Sequence, residues 1–288
     1  MEKAFRYDFE TAIVKTDKGL VHGYEYDGMT IFKGIPYAQA KRFHDPEPVE
    51  PWEGILETCT YSYVCPLMDP DRPDGTLDTP HRIGVQSENC QNLNVWTPRC
   101  DDKKRPVMVW LHGGGFSAGS SIEMVAYEGE NVCKHGQVVF VSINHRLNVL
   151  GYCDLSEFGE EYRNSGNAGT SDMVAALQWV HNNIAAFGGD PDNVTIFGQS
   201  GGGMKVTALL QTPTADGLYH KGIIMSAVQG GAFFDAVGSG RRMGEIMLDH
   251  LGISTVQEME NVPYQDLVSA FKQARYELRP QKINSGET

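Results

Sequence analysis

Residues Gly198-Gln199-Ser200-Gly201-Gly202 form a Gly-x-Ser-x-Gly turn, entered from the apolar run Val194–Phe197 and left through a second run, Met204–Leu210. A strand, a tight turn and a helix around a central serine hold its hydroxyl out at the top of a sheet, where it can attack a carbonyl. Glycine suits positions 198 and 202, because a side chain there would collide with neighbouring backbone. A serine hydroxyl is a weak nucleophile, so acyl transfer also needs a base, an orienting acid and donors for the tetrahedral oxyanion. The donors have a candidate. Val107–Leu111 runs into His112-Gly113-Gly114-Gly115-Phe116, a glycine run after a strand that can turn backbone N–H groups toward one point. Ser200 is the expected nucleophile, and the N–H groups of Gly114, Gly115 and Gly201 are the expected oxyanion hole. Either motif alone could arise by chance in a chain with 32 glycines. Both together, each after an apolar strand and in the right order, favour a site.

Positioning such a site requires a sheet. Leu93–Trp96, Val107–Leu111, Val138–Ile143, Val194–Phe197 and Gly222–Ser226 are short β-rich runs, several of them continuously apolar, as strands covered on both faces are. The clearest helix lies between them, from Ser171 to Phe187, with Met173, Leu177, Val180 and Ile184 along one face. Thr170 or Ser171 can cap its start, and Gly188-Gly189-Asp190-Pro191 stops it. Gly240–Leu251 and Tyr264–Leu278 read as two more helices. This alternation predicts an α/β fold with a largely parallel sheet. Residues 11–37 predict a short antiparallel meander, and Asp45 to about Arg82 a long irregular loop region.

The bulk numbers narrow the partners. The 288 residues are 41% hydrophobic, enough for a sizeable core, and carry 37 acidic against 24 basic side chains, a formal charge of −13. That balance disfavours nucleic acid and anionic membranes. With no apolar stretch near Met1 that reads as a signal peptide, and no run of transmembrane length, the expected location is cytoplasmic. The six cysteines show no Cys-x-x-Cys spacing; no metal or cofactor is expected, and the thiols are expected to be free.

Several linked stretches resemble the type-B carboxylesterases, the family of para-nitrobenzyl esterases and cholinesterases. They are Phe32–Ala38, Arg42-Phe43, Ser87–Trp96, Trp110–Phe116, Asn144–Gly151, Asn167–Gly169 and Phe187–Gly202. The resemblance runs from about residue 11 to the end. It implies an α/β-hydrolase fold: a mostly parallel central sheet with helices on both faces and a small N-terminal antiparallel meander. It also implies hydrolysis of a small carboxylic ester through an acyl-enzyme on Ser200. By the same comparison Arg42 with Glu88, and Arg146 with Asp172, resemble buried family ion pairs. Cys65 and Cys90 match positions that form a disulfide in secreted relatives; here they are expected to be reduced but close together. The pattern departs at Gln91-Asn92-Leu93 and at Met225-Ser226-Ala227. Ser226 reads either as a neighbour of the triad or as an ordinary buried strand serine.

The base and acid are harder to find. In this fold the order along the chain is serine, acid, histidine, and only His220 and His250 follow Ser200. His220 precedes the Gly222–Ser226 strand and so enters at the opposite edge of the sheet, roughly 17–20 Å away for a typical strand. His250 reads as a helix C-terminal residue, His112 as a shaper of the glycine loop, and His145 and His181 as structural. Asp235 would be the acid in some relatives of the fold; the type-B family places both acid and histidine later, beyond Thr288. Residues 1–288 are therefore expected to form a single, incomplete α/β-hydrolase domain. Its partner would be the C-terminal portion of the same esterase, which would complete both the triad and the sheet, and the chain alone would be weakly active at best. Two other readings stand beside this one. A silent binding module on the same fold is disfavoured by Ser200 and the glycine loop. Another serine-hydrolase specificity (lipase, amidase or thioesterase) is not distinguished by the elbow.

Overall fold

The computed structural model describes residues 4–69, 81–227 and 240–278. Its N-terminal strands are β1 (Phe5–Arg6), β2 (Ile13–Lys15), β3 (Leu20–His22), β4 (Tyr24–Tyr26), β5 (Met29–Pro36) and β6 (Ile55–Glu57). Then come β7 (Asn92–Thr97), β8 (Arg105–Leu111), α1 (Glu130–Gly136), β9 (Val139–Ile143), α2 (Asn148–Tyr152), α3 (Ala168–Asn183) and β10 (Gly189–Gln199). The remaining elements are α4 (Gly201–Leu209), β11 (Lys221–Met225), α5 (Gly240–Leu251), α6 (Val256–Met259) and α7 (Tyr264–Glu277).

The main sheet has eight strands in the order β1-β4-β5-β7-β9-β8-β10-β11. Its parallel ladder runs through β9, β8, β10 and β11, and the earlier strands extend it in antiparallel fashion. This is the α/β-hydrolase arrangement that the family resemblance implies. Both faces of its inner strands β8 and β9 are covered, which is why they read as apolar runs, whereas β11 is exposed. Val107, Val109 and Leu111 of β8 pack on one side with Val139, Val141, Met173, Leu177, Val180 and Ile184. Met108 and Trp110 face the other way, toward Trp96, Phe140, Tyr127 and Cys133.

The meander over residues 11–37 divides at Gly23, where a Cβ would lie 2.2 Å from the Ile31 carbonyl oxygen. β2 and β3 form a small sheet with β6, while β4 and β5 join the main one. The loop region after Asp45 thus contains a strand, β6, held in parallel register on β3. Helix α3 also begins earlier than its Thr170 or Ser171 caps would place it. Its N-cap is Asn167, which makes no side-chain capping bond, because Gly169 lets the first turn press against the Arg146 carbonyl.

Helices α5, α6 and α7 build a separate apolar cluster with α2, around Cys65, Leu147, Leu150, Met247, Met259 and Leu267. Thr255 and Glu258 start α6 with reciprocal side-chain to backbone bonds, a capping box. Among the described residues no helix is long and apolar enough to cross a membrane.

Candidate active site

β8 and β10 run side by side up to the pair Gly198↔Leu111. β10 then turns sharply and α4 begins. Ser200 sits in the turn at φ 55°, ψ −121°, a conformation that L-residues rarely hold and that surrounding structure must enforce. Its N–H donates to the Met225 carbonyl at 2.9 Å, and its carbonyl accepts from Met204 N–H at 3.1 Å as α4 begins. The glycines leave no room for alternatives. A Cβ at Gly198 would lie 2.4 Å from the Gly202 carbonyl carbon, and one at Gly202 would lie 2.0 Å from the Leu111 oxygen.

The glycine loop closes over the same point. Gly114 and Gly115 adopt φ 87° and 63°, and the Gly114 carbonyl accepts from Ala118 N–H at 3.0 Å. Gly113 lies against Gln199 and Ser200, while a Cβ on Gly201 would be 2.2 Å from Gly115 N. The loop and the first turn of α4 are therefore in backbone contact beside Ser200. Among the described residues no hydrogen bond takes up the N–H of Gly114, Gly115 or Gly201. The Gly201 N–H also belongs to the N-terminal turn of α4, where the helix dipole favours negative charge.

The loop is tied down along its length. The Phe116 carbonyl accepts from Asn148 N–H at 2.7 Å, and the Ser117 carbonyl accepts from Asn148 Nδ2 at 3.3 Å. His112 Nδ1 lies 2.8 Å from the Gly113 carbonyl, so it carries the proton, and the His112 ring stacks on His145 with centroids 5.3 Å apart. Burial, reinforced by Lys205, holds both imidazoles well below the usual histidine range and keeps them neutral. Lys205 was not singled out by sequence reasoning, although it is the only charge in the apolar run from Met204 to Leu210.

The other expected residues fall as follows. Arg146 and Asp172 make a fully buried bidentate pair, Nη2 to Oδ1 at 2.7 Å and Nε to Oδ2 at 2.9 Å. Arg42 grips Glu88 at 2.5 and 3.0 Å and donates to the Met259 and Val262 carbonyls; the pair is present but buried only on the arginine side, because the Glu88 carboxylate is 33% exposed. The Cys65 and Cys90 thiols are neighbours; interaction with Cys65, then burial, raises Cys90 well above the ordinary thiol value. His220 sits at the far end of β11, bound to Val194 N–H through Nδ1 at 3.1 Å, and His250 faces Ser269 in the last turn of α5. His181 is exposed in the last turn of α3 rather than packed in a structural role. Ser226 is exposed at φ 53° just beyond β11, not buried within a strand, because the chain turns away after Met225 bonds Ser200. Asp235 lies outside the described residues. Among the described residues no three His, Cys, Asp or Glu side chains converge as a metal site would need.

The profile of the carboxylesterase family matches residues 10–284. The chain is 40% identical over 270 residues to the para-nitrobenzyl esterase of Bacillus subtilis (strain 168), covering 91% of this chain and 53% of that protein. It is 35% identical over 262 residues to the phenmedipham hydrolase of Pseudarthrobacter oxydans, covering 89% and 51%. A solved esterase from Clostridium hathewayi, described as able to hydrolyse aliphatic aromatic polyesters, superposes with a TM-score of 0.91 at 52% identity, over 96% of this chain and 56% of that one. The chain thus spans about half the length of the relatives it matches. With residues 10–284 of its 288 matched by the family profile, the chain belongs to the carboxylesterase family.

Proposed function

We propose that this chain is the nucleophile-bearing portion of a serine carboxylesterase, a single α/β-hydrolase domain to which a C-terminal portion of the same enzyme contributes. The observation that carries the reading is the contact between Gly115 and Gly201 beside a strained Ser200. In this reading the Ser200 hydroxyl attacks the carbonyl of a small carboxylic ester. The N–H groups of Gly114, Gly115 and Gly201 receive the oxyanion, the alcohol leaves, and water releases the acyl group from Ser200.

The triad histidine and acid would come from the C-terminal portion. All nine histidines lie within the described residues, and none of them is hydrogen-bonded to the Ser200 hydroxyl; His112, His145, His220 and His250 are engaged elsewhere. We assign the enzyme to the cytoplasm, with Cys65 and Cys90 as buried thiols.

A fluorophosphonate probe tests the proposal. In a preparation shown by intact mass to contain both portions, peptide mapping should find the label on Ser200, and Ser200→Ala should remove it. An unlabelled Ser200 in that preparation would overturn the esterase reading.

A further inference from the structure

Among the described residues Lys205 is the only buried lysine, with no solvent exposure. Burying an ammonium costs several kcal/mol unless partners compensate it, and an apolar side chain would fill the same helix position more cheaply. What Lys205 does in return is visible in its contact: Nζ donates to the His112 carbonyl at 2.9 Å. That carbonyl lies one residue beyond the last β8–β10 register pair, Gly198↔Leu111. There β10 has already turned away to make the elbow, so no neighbouring strand continues alongside it. The groups facing the ammonium are Glu123 and Cys65 on the favourable side, and the neutral rings of His112 and His145 on the other. Glu123 is itself held by His81 at 3.0 Å. His145 Nδ1 lies 2.9 Å from the Arg146 carbonyl, and its buried Nε2 has no partner.

Lys205 therefore links two pieces of backbone that no ladder joins: α4, which begins at Gly201, and the glycine loop that follows His112. We propose that Lys205 is a positioning residue for the oxyanion hole, its ammonium fixing the Gly113–Gly115 loop against the helix that carries Ser200 and Gly201. The proposal rests on the esterase reading for its kinetic consequence but not for its structural one. Three N–H groups on two separate segments stabilise an oxyanion only if their spacing is held before the reaction. Loosening the tie should weaken transition-state binding while leaving ground-state ester binding nearly intact.

Two measurements test this. In the 288-residue chain, Lys205→Met should raise amide hydrogen exchange in the peptide covering 112–117 by about ten-fold or more, with β9 and α3 unchanged, as expected for a local opening. Unchanged exchange in that peptide, or an equal rise throughout the chain, overturns the proposal. If the methionine variant does not fold, the unmodified chain decides by NMR. The Lys205 ε-methylene and the Gly113–Gly115 amides should then titrate with a common midpoint, and amides that stay still while Lys205 titrates overturn it. In the assembled enzyme, Lys205→Met should lower kcat by about ten-fold or more with KM little changed; a change in KM alone overturns the kinetic half. An inactive unmodified enzyme would refute the esterase reading and leave the exchange measurement to decide this one.

Discussion

The residues around Ser200 are shaped by what cannot be placed there. Cβ atoms at Gly198, Gly201 and Gly202 would each come within 2.4 Å of backbone, so the elbow and the loop exclude side chains before any catalytic requirement is considered. Lys205 is the opposite case, a charge placed where solvation is lost. Burial brings its ammonium down from the usual 10.5 to about 7, with Glu123 and Cys65 only partly offsetting the loss. The sign of the resulting pH dependence follows. Below about 7 the amine is charged in both folded and unfolded chains, and the full burial penalty is present. Between about 7 and 10.5 the unfolded chain binds more protons, so this group makes stability rise with pH. Tyr37 and Cys90, raised well above their ordinary values chiefly by burial and by interaction with Cys65 respectively, act in the other direction at high pH. The difference between the unmodified chain and Lys205→Met removes those shared contributions. Denaturant melts across this range should show the unmodified chain gaining on the variant by a few kcal/mol as pH rises; parallel curves would show that Lys205 does not titrate there.

At the scale of elements, the site depends on the buried Arg146–Asp172 ion pair as much as on the sheet. Arg146 follows β9, bonds Asp172 in α3, and donates to the Lys41 and His44 carbonyls, so one guanidinium fastens a strand end, a helix and a loop. Removing its carboxylate leaves an uncompensated buried charge. Asp172→Ala is therefore expected to destabilise the chain by roughly 3–5 kcal/mol, read as a shift in urea midpoint at unchanged slope; a loss under 1 kcal/mol, as for a surface pair, would refute the assignment. Both this pair and Arg42 with Glu88 were accessible from the resemblance of local motifs, and the strands and α5 from apolar runs and helical spacing. β6 was hidden because its Ile55-Leu56-Glu57 is three residues long and lies among prolines. The start of α3 was misplaced because the capping preference of Thr170 and Ser171 yielded to close packing of Gly169 on Arg146. Lys205 was passed over because its charge, alone in an apolar run, carries no periodic signal; only its contact with the His112 carbonyl gives it meaning.

For the whole molecule, the decisive feature is the outer strand of the parallel ladder. Among the described residues β11 pairs only with β10, and Ile223 and Ile224 are 44% and 42% exposed. An apolar strand with one open edge templates further pairing, and under the proposed function the C-terminal portion of the esterase adds to it. The same edge stands next to the site, since Met225 at its end accepts from the Ser200 N–H. Completion of the sheet and completion of the active centre are then one event. The chain prepared alone should self-associate and hydrolyse an activated ester roughly a million-fold more slowly than the assembled enzyme, the loss a serine hydrolase suffers when its base is absent. Adding the C-terminal portion should give a one-to-one complex, with ester hydrolysis and probe labelling of Ser200 rising together. Ile223→Lys, which charges the strand beside the open edge, should weaken that complex without altering labelling at saturating partner. Size-exclusion with light scattering, run beside the ester assay, reads both quantities. A monomeric chain that turns over at the full rate on its own would place the base within these 288 residues and separate the sheet edge from catalysis.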